Sequence, residues 1–231
     1  MAPSGAEGSF DAAAGLVRVR ARIAAAGGDP DKVRVVAVTK GFGRKAVDAA
    51  RDAGIVDVGE NYAQELLAKD EALRAHGARD PAVRWHFLGA IQRNKIAALA
   101  PVVACWQSVA RVVEGEAIAR RRPGAAVLVE VDTTGAAGRN GCAPEGVPAL
   151  VAGLRAARLE VEGLMTVAPL DPDAARAAFR LVRSLADDLG LAERSMGMSD
   201  DLELAVAEGS TMVRVGRALF GDRPARRAHA T

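Results

Sequence analysis

One arrangement recurs along this chain: a short β-branched or apolar run, a break rich in glycine or polar residues, then an alanine-rich or amphipathic helical stretch. The runs lie at residues 33–39, 55–58, 84–88, 102–106, 126–131, 161–167, 194–197 and 212–215, and a helical segment follows each. Strands that alternate with helices imply a parallel sheet, and uninterrupted apolar strands imply burial on both faces. Eight such units fit a closed (β/α)8 TIM barrel, a fold of about 250 residues. An open doubly wound sheet is the alternative, but no strand is followed by the GxGxxG fingerprint of its dinucleotide-binding form. The expected organisation is one barrel domain over residues 1–231. Its core spans about 33–221, an extra N-terminal helix covers 10–26 with Leu16, Val19 and Ile23 on one stripe, and 222–231 forms a flexible basic tail containing Arg223, Arg226 and Arg227.

Composition narrows the function classes. With 31 Lys and Arg against 29 Asp and Glu and few aromatic residues, the chain lacks both the charge and the stacking surface of a nucleic-acid binder. Its two cysteines, Cys105 and Cys142, make no CxxC pair, which fits a reducing cytoplasm. Residues 1–10 lack the pattern of a signal peptide, and no apolar run has the length of a membrane helix, so a soluble, unprocessed protein is expected. The three histidines, His76, His86 and His229, are scattered, and no metal site is expected. With no long exposed apolar face in the pattern, the expected state is a monomer.

A barrel places its active site at the C-terminal ends of the strands. Lys40 stands there, directly after the first run and on the face of Val36 and Val38. It reads either as a solvated lysine or as an amine whose partial desolvation lowers its pKa and makes it nucleophilic toward an aldehyde. The segment 196–201, Met-Gly-Met-Ser-Asp-Asp, and the turn at Gly216 and Arg217 follow strands seven and eight, where barrels frequently bind phosphate. Ser199 reads equally as a helix cap. Arg214 shares a strand face with Met212 and Gly216; if that face is interior, the guanidinium needs an acceptor. Barrel closure would bring it beside Lys40. Asn61, after strand two, reads as a helix cap or as a hydrogen-bonding group for a ring substituent, and His86 as a core histidine with a satisfied partner. An aldehyde-reactive amine, a phosphate cradle and a polar contact for a ring together describe pyridoxal 5′-phosphate (PLP). A Schiff-base aldolase acting on a sugar phosphate would use the same parts.

Several segments together resemble the YggS/PROSC-type pyridoxal phosphate homeostasis proteins, relatives of the barrel domain of alanine racemase. They are Val36-Ala37-Val38-Thr39-Lys40, Gly59-Glu60-Asn61-Tyr62-Ala63-Gln64-Glu65, Trp85-His86-Phe87-Leu88-Gly89, Gly163-Leu164-Met165, Gly197-Met198-Ser199-Asp200-Asp201 and Val213-Arg214-Val215-Gly216 with Leu219-Phe220-Gly221. The resemblance implies that Lys40 holds PLP as an imine, that Asn61 lies beside the ring, that Ser199, Gly216 and the amide of residue 217 hold the phosphate, and that Arg214 faces the pyridine nitrogen. It further implies a role in intracellular vitamin B6 homeostasis, with apo PLP enzymes as partners and no catalytic residue. A racemase-like enzyme is the alternative. Racemisation needs an acid and a base on opposite faces of the substrate. In the racemases a tyrosine from a separate β domain supplies one of them, for which this chain has no room; its single tyrosine is Tyr62. Three positions depart from the resemblance. Arg217 stands where relatives carry Thr or Ser, which leaves a guanidinium in place of a hydroxyl. Gly138-Arg139-Asn140-Gly141 stands where they often have Lys, and Thr39 replaces a common Ser.

Overall fold

The computed structural model describes residues 10–75 and 83–222. The expected basic tail with Arg223, Arg226 and Arg227, together with His76 and His229, lies outside the described residues. The strands are β1 (Arg34–Val38), β2 (Asp57–Glu60), β3 (Arg84–Phe87), β4 (Val103–Val109), β5 (Ala126–Glu130), β6 (Glu160–Met165), β7 (Glu193–Ser195) and β8 (Met212–Val215). They pair in chain order and close into a parallel barrel, with β8 against β1. The helices are α1 (Ala12–Ala25), α2 (Arg44–Asp52), α3 (Ala63–Ala75), α4 (Ile96–Leu99), α5 (Val112–Ala119), α6 (Val147–Ala156), α7 (Pro172–Asp188), α8 (Leu202–Ala207) and α9 (Arg217–Phe220). The architecture is the expected (β/α)8 barrel. Among the described residues no helix is long and apolar enough to cross a membrane.

The alternation of each strand divides its side chains between two layers. In β1, Val35 and Ala37 belong to the apolar layer under the helices, whereas Val38 lines a cavity at the barrel mouth. Cys105, Leu128 and Met165 form a small apolar cluster of their own. Burial holds the Cys105 thiol well above its ordinary pKa, so this cysteine is inert as a nucleophile.

The extra helix α1 closes the structure beside the last unit, packing on α8 and α9. Leu16, Val19 and Ile23 are its buried stripe, as their spacing predicts. Gly15 permits the close approach: a Cβ there would lie 2.9 Å from the Cα of Leu219. Phe10, Phe42 and Phe220 meet with ring centroids 5.4–5.6 Å apart, tying the start of α1 and the end of α9 to the loop that follows Lys40.

One boundary differs materially from the sequence reading. The fourth run, read as 102–106 with a helix from Val109, continues as β4 to Val109, and α5 starts only at Val112. Gln107 and Ser108 broke the apolar run in sequence. Both are fully buried, and each is hydrogen-bonded inside the fold, Ser108 to the carbonyl of Gly89 at 2.5 Å.

Candidate functional site at the barrel mouth

A cavity of about 440 Å³ opens at the C-terminal ends of the strands. Lys40, Asn61, Ser199, Arg214, Gly216 and Arg217 all line it, beside Val38, Leu88, Met165, Val167 and Met198. All six residues singled out in the sequence are therefore brought together, across four different strand ends. Arg139 is exposed and does not line the cavity.

Lys40 is held from both sides by α3. The buried Lys69 donates to the carbonyl of Thr39 at 2.8 Å, and Glu65 accepts from the amide of Gly41 at 2.9 Å. Lys69 also pairs with the fully buried Glu60, which accepts from the Thr39 hydroxyl at 2.8 Å. Burial raises the Glu60 pKa despite the Lys69 ammonium beside it. Thr39 thus faces the helix layer, which leaves the next residue, Lys40, on the opposite face of the chain with Val38. Sequence reasoning missed this support, although Lys69 lies at helical spacing between the buried Leu66 and Leu73.

Arg214 finds the acceptors that an interior position demands, and they are neutral. Nη1 donates to the carbonyl and hydroxyl oxygens of Ser195 at 2.6 and 2.8 Å, and Nη2 donates to the carbonyl of Thr166 at 2.7 Å. Burial pushes its pKa down to about 10, which still leaves a cation at neutral pH. Its strand partner is Val36, so Arg214 stands two residues below Val38 and four below Lys40 in the register of the neighbouring strand.

Ser199 does not cap α8, whose N-cap is Asp201. Its hydroxyl instead accepts from the amide of Ala218 at 3.2 Å, in the first turn of α9, so the loops after β7 and β8 share this side chain. Arg22 of α1 pins the same loop. It donates to the Ser199 carbonyl at 2.9 Å and makes a bidentate pair with Glu203, which lowers the Glu203 pKa. Gly216 is needed for clearance, since a Cβ there would lie 2.9 Å from the carbonyl oxygen of Val38. Arg217 pairs with Asp200, both largely exposed at the rim. Asn61 presents a buried Oδ1 that has no hydrogen-bond partner in the protein. An orphaned acceptor of this kind costs about 1–3 kcal/mol and marks a place for a donor.

His86 is fully buried with partners on both ring nitrogens, as a core histidine should be. Tyr62 is half-exposed and lines a smaller recess of about 200 Å³ with Gln92 and Lys95, outside the main cavity. No group of three or more metal-ligating side chains occurs among the described residues.

The chain is similar to known proteins over most of its length. Residues 16–224 match the family model described as alanine racemase, N-terminal domain. A pyridoxal phosphate homeostasis protein from Pseudomonas aeruginosa is 42% identical, the match covering 89% of this chain and 91% of that protein. One of the same name from Deinococcus radiodurans is also 42% identical, with 89% and 97% covered. The solved structure of PipY from Synechococcus elongatus with PLP bound superposes with a TM-score of 0.75 at 31% identity, covering 88% of this chain and all of PipY. The chain belongs to the family of the pyridoxal phosphate homeostasis proteins, built on the alanine racemase N-terminal domain.

Proposed function

We propose that this protein binds pyridoxal 5′-phosphate at the barrel mouth and keeps it available to apo PLP enzymes, as a single-domain, monomeric carrier in the cytoplasm without appreciable turnover. The observation that carries this reading is the convergence of an amine, a phosphate cradle and a buried cation in one cavity of about 440 Å³. The donor set fits the group. Lys40 supplies the amine that holds the cofactor covalently, and Ser199, Gly216 and Arg217 surround the place for a dianionic phosphate. Asn61 has an acceptor awaiting a donor beside the ring. Arg214 keeps its Nε–H for the pyridine nitrogen, since its acceptors in the protein engage only Nη1 and Nη2. When bound, PLP supplies an aldehyde that joins an amine and a ring that withdraws electrons.

One feature favours the carrier over the racemase-like enzyme. Tyr62, the one tyrosine, points to the separate recess and does not line the cavity, so it is not placed as an opposite-face base. The test is to incubate the purified protein with PLP and then with alanine, serine and other amino acids. Stoichiometric binding without product is expected, and slow exchange at the α-carbon is compatible with it. Multiple turnovers at enzyme-like rates of about 1 s⁻¹ or faster would establish the racemase-like reading instead.

A further inference from the structure

The interior of a barrel of this kind is ordinarily filled by branched aliphatic side chains. Here a line of polar groups crosses it, contributed by five strands. Arg214 Nη1 of β8 lies 2.8 Å from Ser195 Oγ of β7, and Ser195 Oγ lies 2.8 Å from Gln107 Oε1 of β4. Gln107 Nε2 then lies 2.7 Å from His86 Nδ1 of β3, and His86 Nε2 lies 2.8 Å from Asp57 Oδ1 of β2. Ser195, Gln107 and His86 are fully buried, and Asp57 and Arg214 nearly so. Asp57 closes the line near the opposite end of the barrel, between Arg34 and Arg84 at 4.0 and 3.5 Å.

The hydrogen bonds share one direction. Arg214 has no acceptor atom, so Ser195 Oγ accepts from it, and the Ser195 hydroxyl donates to Gln107 Oε1. The Gln107 NH₂ group faces His86 Nδ1 and the sulfur of Met212, 3.1 Å away, an atom that can only accept. His86 Nδ1 therefore accepts, and Nε2–H donates to Asp57. A buried cation at the cavity is joined to a buried carboxylate by donors that all point away from the cavity. A fully satisfied chain of this kind is rigid, and breaking one link leaves buried groups unpaired on both sides of the break.

We propose that Ser195, Gln107 and His86 are positioning residues for the cofactor, fixing which N–H of Arg214 is presented to the pyridine nitrogen. Gln107 and His86 do not line the cavity, and they act only through Ser195 and Arg214. The proposal rests on the reading that the PLP ring lies against Arg214.

The test uses the full-length protein loaded with PLP labelled at the pyridine nitrogen, whose NMR shift reports the hydrogen bond at that atom directly. The wild type should show an unprotonated, hydrogen-bonded nitrogen. Gln107→Leu should move the resonance toward that of a pyridine without a hydrogen bond, while the covalent adduct on Lys40 remains. Ser195→Ala cuts the next link, should shift the resonance the same way, and decides the matter should Gln107→Leu not fold. A resonance unchanged in these variants but shifted in Arg214→Leu would overturn the chain while leaving Arg214 at the ring. A resonance unchanged in Arg214→Leu would overturn the placement of Arg214 and the proposal with it.

Discussion

At the scale of single residues, the phosphate end of the cavity separates two kinds of contribution. The Ser199 hydroxyl accepts from Ala218 and keeps its own proton to donate, so Ser199→Ala should weaken binding of PLP far more than binding of pyridoxal. A hydrogen bond to a charged group contributes about 1.5–3 kcal/mol, so the affinity ratio between the two vitamers, measured by titration, should fall roughly tenfold or more. Equal losses for both would mean that Ser199 serves only to join the two loops. Arg217 lies at the exposed rim and is already engaged by Asp200. Exposed charge contacts contribute about 0.2–1 kcal/mol, so Arg217→Ala should cost only about two- to fivefold in PLP affinity, less as salt rises. A hundredfold loss would show that the guanidinium leaves Asp200 and grips the phosphate.

At the scale of elements, the seam between β8 and β1 carries the site, because it sets Arg214 beside Val36 and Gly216 against Val38. A methyl group at residue 216 would press on the Val38 carbonyl, so Gly216→Ala should destabilise the fold by about 1–3 kcal/mol in urea unfolding and weaken PLP binding with it. On β2, burial pushes the Asp57 carboxyl up, but its interactions with His86, first, and with Arg84 and Arg34 outweigh it and hold the pKa below its ordinary value. Stability from the ionised carboxylate is therefore complete above the unfolded value of about 3.9 and is lost as pH falls through the folded one. Asp57→Asn should lower stability at neutral pH and flatten the acid limb of the stability curve. An unchanged acid limb would mean that this carboxylate does not carry it. These elements differ in how plainly they stand in the sequence. Lys40, Arg214 and Gly216 were legible because a strand end or a strand's alternation picks them out. The Lys69–Glu60 pair was not read, although Lys69 breaks an apolar stripe. The link from Ser195 to Gln107 spans 88 positions, and only barrel closure brings such residues into contact.

At the scale of the whole molecule, the cavity draws on both halves of the chain, with Lys40 and Asn61 from the first units and Ser199, Arg214 and Gly216 from the last. A ligand bridging them stabilises the closed barrel by mass action. At a hundred times its Kd, PLP should add about 2.7 kcal/mol, which for a domain of this size raises Tm by about 5–10 °C. Lys40→Ala should keep the fold and lose most of that rise in a calorimetric scan, because Lys40 contributes to the ligand more than to the core. The central claim, that PLP is held at the barrel mouth through Lys40, meets its most direct test in borohydride reduction of the PLP-loaded protein followed by peptide mass analysis. The reduced adduct should map to Lys40 at about one per chain; an adduct mapped mainly to another lysine, such as Lys95 in the smaller recess, would contradict it.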